Sequence, residues 1–218
     1  MIDIVYQDSE IIVCIKPAGV LSTDEEGGMP EALRSQLGLG KDRVFTVHRL
    51  DRVVSGLMVY AVTSQAAAAV SKCITDKTFE KEYLAVVHGR PEEDSGRFDD
   101  LLFRDREKLM TFVVKRMRKG VRDASLEYEV LGGRDGLSLV RVHLLTGRTH
   151  QIRVQFSSRK MPLYGEKKYA VSEDKGDIAL WSAYLSFIHP KTHERMSFDA
   201  FPPNVYPWSL FDIKNDRN

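Results

Sequence analysis

Apolar residues fall along this chain in short runs set off by turn residues, and most runs carry the two-residue alternation of β-strands. "DIVYQDSEIIVCIKPAG", from Asp3, reads as two short strands divided at Gln7-Asp8-Ser9 and closed by Pro17 and Gly19. "VFTVHRL" and "GLMVYAVT" read as strands on either side of residues 51–55, and the second is apolar at nearly every position, as in a strand buried on both faces. "KEYLAVVHG" is a further strand ending at Gly89. "ASLEYEVLGG" and "LSLVRVHLL" alternate and form a hairpin across Gly133-Arg134-Asp135-Gly136. "IALWSAYLSFIHP" adds another strand before a proline-rich tail, "FPPNVYPW". Helical signals are fewer. "SQAAAAVSKCITDK" is a helix that Thr63 or Ser64 can cap. "GRTHQIRVQFSSR" is ambiguous, because Ile152 and Phe156 stand four apart while Ile152, Val154 and Phe156 also alternate. We assign it to a helix starting near Thr146 or Gly147. The pattern predicts an α+β fold: a large mixed, mainly antiparallel central sheet flanked by a few helices.

No internal repeat or low-complexity linker interrupts the 218 residues, so the expectation is a single domain over residues 1–218. No apolar run reaches the roughly 20 residues of a membrane span. The start, "MIDIVYQDSE", lacks the basic and apolar regions of a signal peptide. Cys14 and Cys73 sit in apolar surroundings without metal-ligand spacing and read as packing residues in a reducing compartment. A cytoplasmic location is expected. The formal net charge is only +1, yet charge is uneven: eight basic residues stand against two acids from Arg104 to Arg122, and six against one from Arg148 to Lys168. Two basic segments in a near-neutral chain suggest a polyanion footprint. A solvated loop and a charged helix face would read the same way.

Three segments place charge inside apolar patterns: His48-Arg49-Leu50-Asp51, the strand carrying Tyr83, and the stretch in which Ile152 and Val154 flank Arg153. A sheltered carboxylate beside a guanidinium stays ionised, and arginine's planar fork can hold it from two sides. Asp51 and Arg153 are candidates for such a pair; nearer partners, Arg49 or Arg52 for Asp51, are the alternative. A triad of Ser55, His48 and Asp51 is too crowded along the chain and has no G-x-S-x-G elbow. A glycosidase would need a second acid as well embedded as Asp51. The six histidines, among them His189 and His193 separated by Pro190, form no metal-ligand pattern.

Taken in order, these segments resemble the RluA-type RNA pseudouridine synthases. "VHRLDRVVSGLMVYA" is similar to the family's HRLD-x-x-T-S-G-L-L-L, and "DSEIIVCIKPAGV" matches its first segment through Asp8, Lys16, Pro17 and Gly19. "KEYLAVVHG" matches K-x-Y-x-A-x-V-x-G, "GRTHQIRVQF" matches G-R-T-H-Q-I-R-V-H except at its end, and "LSFIHP" resembles L-x-F-x-H-P. The resemblance spans roughly residues 4 to 203. It implies the pseudouridine-synthase catalytic fold and the isomerisation of uridine to its C-glycoside in RNA, with no cofactor and no metal. It implies Asp51 as the catalytic carboxylate, Arg153 as its partner, Tyr83 against the target base and Arg49 entering the RNA stack, with His48 and Ile152 also beside the substrate. Lys16 and Pro17 are expected beneath the site in a structural role. The implied partner is a tRNA or rRNA stem-loop. A monomer is expected, without the small S4-type RNA-binding domain that many relatives carry in front. A non-catalytic RNA-binding protein would lack the Asp or the Arg. Departures from the pattern are Val54 for Thr, Glu166 for Asp, Ala170 for Gly and Trp181 for His.

Overall fold

A computed structural model describes residues 1–171 and 173–213. In chain order the elements are β1 (Asp3–Gln7), β2 (Ile11–Lys16), α1 (Met29–Leu37), β3 (Phe45–Thr46), β4 (Ser55–Ala61), α2 (Ser64–Thr75), β5 (Glu80–His88), β6 (Ser95–Asp105), β7 (Met110–Val114), β8 (Val121–Arg134), β9 (Leu137–Leu144), α3 (Gln151–Ser158), β10 (Leu180–Ile188) and β11 (Arg195–Asp199). The fold is α+β. The chain divides into two compact units: Met1–Lys81 with Trp181–Phe201, and Glu82–Leu180 with the tail from Pro202.

In the first unit β1 pairs with β2, β2 with β4, β3 with β4 and β11 with β10, all antiparallel, while β10 runs parallel to β4. The Asp8 carboxylate caps the β1–β2 turn, accepting the Glu10 and Ile11 amides at 2.8 Å each. It also pairs with Nε2 of His189 at 2.8 Å, while His189 Nδ1 accepts the Thr192 amide. This explains the outlying Asp and His-Pro motifs as one structural tie. The core joins Ile11, Val13, Leu57, Val59, Val70, Phe79, Leu185 and Phe187. As expected, β4 is buried on both faces. Its Gly56 has φ +114°, and a Cβ there would lie 2.4 Å from the Ser182 carbonyl oxygen and 2.5 Å from its nitrogen. Only glycine permits that approach of β4 to β10. Of the two cap candidates for α2, Thr63 is the cap, its Oγ1 accepting the Ala66 amide at 3.1 Å.

In the second unit β5, β9, β8, β6 and β7 pair in that order, each antiparallel to the next. The β8–β9 hairpin closes on Asp135-Gly136, both with positive φ, the conformation of a tight two-residue turn. α3 lies against β6 and β7. Phe156 on α3 meets Phe98 on β6 edge-on at 5.1 Å, and Phe98 meets Tyr128 on β8 at 4.7 Å. The basic residues from Arg104 to Arg122 lie on the β6–β7 hairpin, the β7–β8 connection and the start of β8, and Leu109, Phe112 and Met117 are exposed among them. Among the described residues no helix is long and apolar enough to cross a membrane.

Candidate active site

The first unit presents Asp51 on a loop between β3 and β4. β3 stops after Thr46 because His48 leaves the strand path: its buried ring, 8% exposed, accepts the Val59 amide through Nε2 at 3.1 Å and packs 5.2 Å from Phe79. Burial, with Lys81 nearby, holds this imidazole well below the usual histidine value. It is neutral and carries its proton on Nδ1. His48, expected beside the substrate, is thus an anchor of the loop. Leu50 is buried, and its carbonyl accepts Ser22 Oγ at 2.9 Å. The Asp51 carbonyl accepts the Val54 amide at 3.0 Å.

Lys16 completes the clamp. It is 0% exposed, and its Nζ donates to the carbonyls of Pro17 and Val20 at 2.8 Å and of Arg52 at 3.1 Å. The Arg52 carbonyl also accepts the Gly19 amide at 2.8 Å, and Arg52 Nε donates to the Gly19 carbonyl at 2.7 Å. Burial lowers the Lys16 ammonium to about 8, against the opposing pull of Asp51. Three successive carbonyls, from Leu50 to Arg52, are thereby fixed. Asp51 is half-buried at the tip, while Arg49, Arg52 and Val53 point to solvent.

The second unit holds Tyr83, Ile152 and Arg153. Tyr83 is a buried residue of β5 opposite Val142 of β9. The segment before α3 is tied to β8 by Gln151 Nε2, which donates to the Ser125 carbonyl, and by Arg148 Nε, which donates to that of Asp123. The helix therefore starts four to five residues later than Thr146 or Gly147, with His150 left-handed at φ 57° before it. Ile152 is buried in α3. Arg153, 6% exposed, donates from Nε to Glu166 Oε2 at 2.7 Å and from Nη2 to Oε1 at 2.8 Å, and its guanidinium lies 5.5 Å from the Tyr169 ring centre. Burial would raise the Glu166 carboxyl. The hydrogen bonds and charge of Arg153, with the Lys168 and Tyr169 amides, outweigh it and hold it below the usual value. The Tyr169 hydroxyl accepts the Thr111 amide at 2.9 Å and stands 2.5 Å from His150 Nδ1. Burial raises its phenol, so it stays protonated beside that nitrogen.

The structure thus gathers His48, Arg49 and Asp51 with Lys16 in one unit, and Ile152 and Arg153 with Glu166, Tyr169 and His150 in the other. Sequence reasoning missed the roles of Glu166, Tyr169 and His150: Glu166 stood out only as a departure from the resembled pattern and His150 only as part of GRTHQIRVQF. Among the described residues no group of three or more His, Cys, Asp or Glu could hold a metal ion.

Residues 10–158 match the family described as RNA pseudouridylate synthase. The chain is 33% identical to the uncharacterized RNA pseudouridine synthase YlyB of Bacillus subtilis, over 91% of this chain and 68% of that one. It is also 33% identical to the dual-specificity RNA pseudouridine synthase RluA of Vibrio vulnificus, over 94% and 84%. Among solved structures, human RNA pseudouridylate synthase domain containing 1 superposes with a TM-score of 0.80 at 22% identity, over 95% of this chain and 86% of that one, a likeness of fold.

Proposed function

Because the chain belongs to the RNA pseudouridylate synthase family and is therefore an RNA-modifying isomerase, we propose that Asp51 is the carboxylate that rearranges the target uridine. In this reaction the glycosidic C–N bond breaks, the uracil turns, and a C–C bond forms to C5, whose hydrogen leaves as a proton while the freed N1 ends with one. Atoms and electrons balance within the nucleotide, so the chain's own residues suffice. A carboxylate serves at the sugar either by attacking C1′ or by taking the C2′ proton. Arg153 pairs with Asp51 and keeps it ionised and oriented.

The target base must leave the RNA stack to reach Asp51, at a cost of a few kcal/mol. Tyr83 offsets part of this by stacking on the base, worth about 1–3 kcal/mol. Arg49, exposed at the loop tip, fills the vacated place and contacts phosphate. The basic β6–β7 hairpin holds the flanking phosphates of a structured tRNA or rRNA stem-loop. The enzyme acts as a monomeric catalytic domain in the cytoplasm.

The observation that carries this reading is the Asp51 loop itself. Its HRLD sequence matches the family, and its backbone is tied at three successive carbonyls, the preorganisation a positioned catalyst needs. The test uses tRNA and rRNA transcripts tritiated at uracil C5. Wild-type protein is expected to release tritium to water and Asp51→Ala to release none. Release that survives in Asp51→Ala would refute the assignment, and free uracil in place of tritium release would point to hydrolysis.

A further inference from the structure

We propose that Glu166 is the positioning residue of Arg153, a role that rests on the reading of Arg153 as the partner of catalytic Asp51. Arginine presents its N–H groups on a rigid planar fork, but the fork sits on a flexible stem carrying about 2 kcal/mol of rotamer entropy. A guanidinium that must meet a carboxylate in one orientation needs that freedom removed beforehand. Glu166 removes it. Its two oxygens take the Nε and Nη2 edge of Arg153 at 2.7 and 2.8 Å, which sets both the plane and the direction of the fork. The rest of the fork is then presented in a single orientation.

The carboxylate is itself immobilised. Glu166 is 0% exposed, and its Oε1 also accepts the Lys168 amide at 2.7 Å and the Tyr169 amide at 3.3 Å. Gly165 before it has φ +75°, and a Cβ there would lie 2.5 Å from the Asp177 carbonyl oxygen, so the turn that aims Glu166 requires glycine. Tyr169, three residues on, lays its ring by the guanidinium and is fixed through its hydroxyl to Thr111 and His150. Arg153 is therefore gripped on one edge by Glu166 and faced by Tyr169. The chemistry agrees with the geometry: Glu166 is held ionised, and an anion beside a buried guanidinium spares the site an uncompensated charge.

A purely architectural ion pair would look similar at rest, but it would behave differently when perturbed. The comparison uses single-turnover tritium release from C5-labelled tRNA and rRNA transcripts, normalised to folded protein by near-ultraviolet circular dichroism. The proteins are wild type, Glu166→Gln, Glu166→Asp, Arg153→Lys and the double variant Arg153→Lys/Glu166→Gln. Misplacing a catalytic partner by about 1 Å costs about 100-fold, so Glu166→Gln is expected to slow the saturated rate by about that factor while the half-saturating RNA concentration moves less than about 3-fold. Glu166→Asp, which keeps the charge but retracts it by one carbon, is expected to fall between wild type and Glu166→Gln. In the Arg153→Lys background the Gln change is expected to cost under about 3-fold, since coupled residues are non-additive.

Equal slowing by Glu166→Gln in both backgrounds, or an effect on half-saturation alone, would overturn the proposal. So would an unchanged saturated rate in Glu166→Gln while Arg153→Lys is slow. A full rate in Arg153→Lys would instead refute the underlying pairing of Arg153 with Asp51, and Glu166 would lose its role with it. Should Glu166→Gln fail to fold, Glu166→Asp in the two backgrounds gives the same comparison: slowing beside Arg153 and none in the Arg153→Lys background.

Discussion

Replacing Lys16 by Met tests whether a buried ammonium holds the Asp51 loop. Methionine keeps the length and apolar stem of lysine but removes the charge and the donors to Pro17, Val20 and Arg52. The informative quantity is how the stability difference between the two proteins changes with pH. Folded Lys16 titrates at about 8 instead of 10.5, a drop equivalent to about 3 kcal/mol at ~1.36 kcal/mol per pKa unit. From about 8 to 10.5 the unfolded chain keeps the proton that the folded chain has released. The unfolded state therefore binds more protons, and stability rises with pH across this window. Integrating between pH ~7 and ~9.5 gives a wild-type gain of about 2 kcal/mol that Lys16→Met cannot share. Poorer packing and stranded carbonyls are common to both pH values and cancel, as do the other titrating groups. Urea unfolding of both proteins at the two pH values measures the gap. If it widens by less than ~0.5 kcal/mol, or narrows, the ammonium is not held as described.

Gly56→Ala is expected to leave no stable fold, or to cost more than about 4 kcal/mol, because its Cβ would lie inside the Ser182 backbone; a urea midpoint close to wild type would refute that packing. Thr63→Ala is expected to cost about 1 kcal/mol through removal of the α2 cap, and no change in unfolding free energy would deny the cap a role. Nitrogen-15 NMR of His48 is expected to show a neutral, Nδ1-protonated ring across pH ~5 to ~8, and an ordinary titration there would contradict its burial. Arg116→Ser with Lys119→Ser on the exposed basic segment is expected to flatten the log–log salt dependence of RNA binding by about 0.7–0.9 for each phosphate no longer neutralised. An unaltered slope would place the RNA elsewhere.

Local patterns announced the elements whose burial repeats with their own period. β4 was legible because nearly every position is apolar, the β8–β9 hairpin because Asp135-Gly136 is a turn signal between alternating strands, and α2 because a cap precedes four alanines. α1 went unread although Pro30 at its start and Gly38, left-handed at φ 63° just past its end, mark both termini. The run is short, and the neighbouring "STDEEGG" reads as loop. β6 escaped because charged, partly exposed residues mask its alternation, and β7 because its run is only five residues long; β6 takes its partners on β8 and β7 takes its partners on β6. At the site, charge inside apolar patterns and the family resemblance singled out Asp51 and Arg153, and the resemblance set Lys16 beneath the site in a structural role without revealing the clamp. A lysine closing an apolar run looks like a strand end, and only the loop folding over it creates three carbonyl acceptors. Glu166 lies 13 residues from Arg153 with a helix end and a turn between, so no periodicity links them.

The first unit takes its chain from two places, Met1–Lys81 and Trp181–Phe201, with the whole of Glu82–Leu180 in between. Its core cannot be completed when its first strands leave the ribosome, because Ile11, Val13 and Val59 await Leu185 and Phe187. At a synthesis rate of about 5–20 residues per second, the intervening hundred or so residues impose a wait of about 5–20 s. During that time β4 is an apolar strand without its parallel neighbour, and the Asp51 loop hangs from an unfinished sheet. The contiguous β5–β9 region can meanwhile pair with itself. Assembly of the Asp51 half of the enzyme is thus timed by the arrival of β10, so a nascent chain cut short before Trp181 would be expected to hold an exposed, chaperone-dependent first segment beside an already ordered second one.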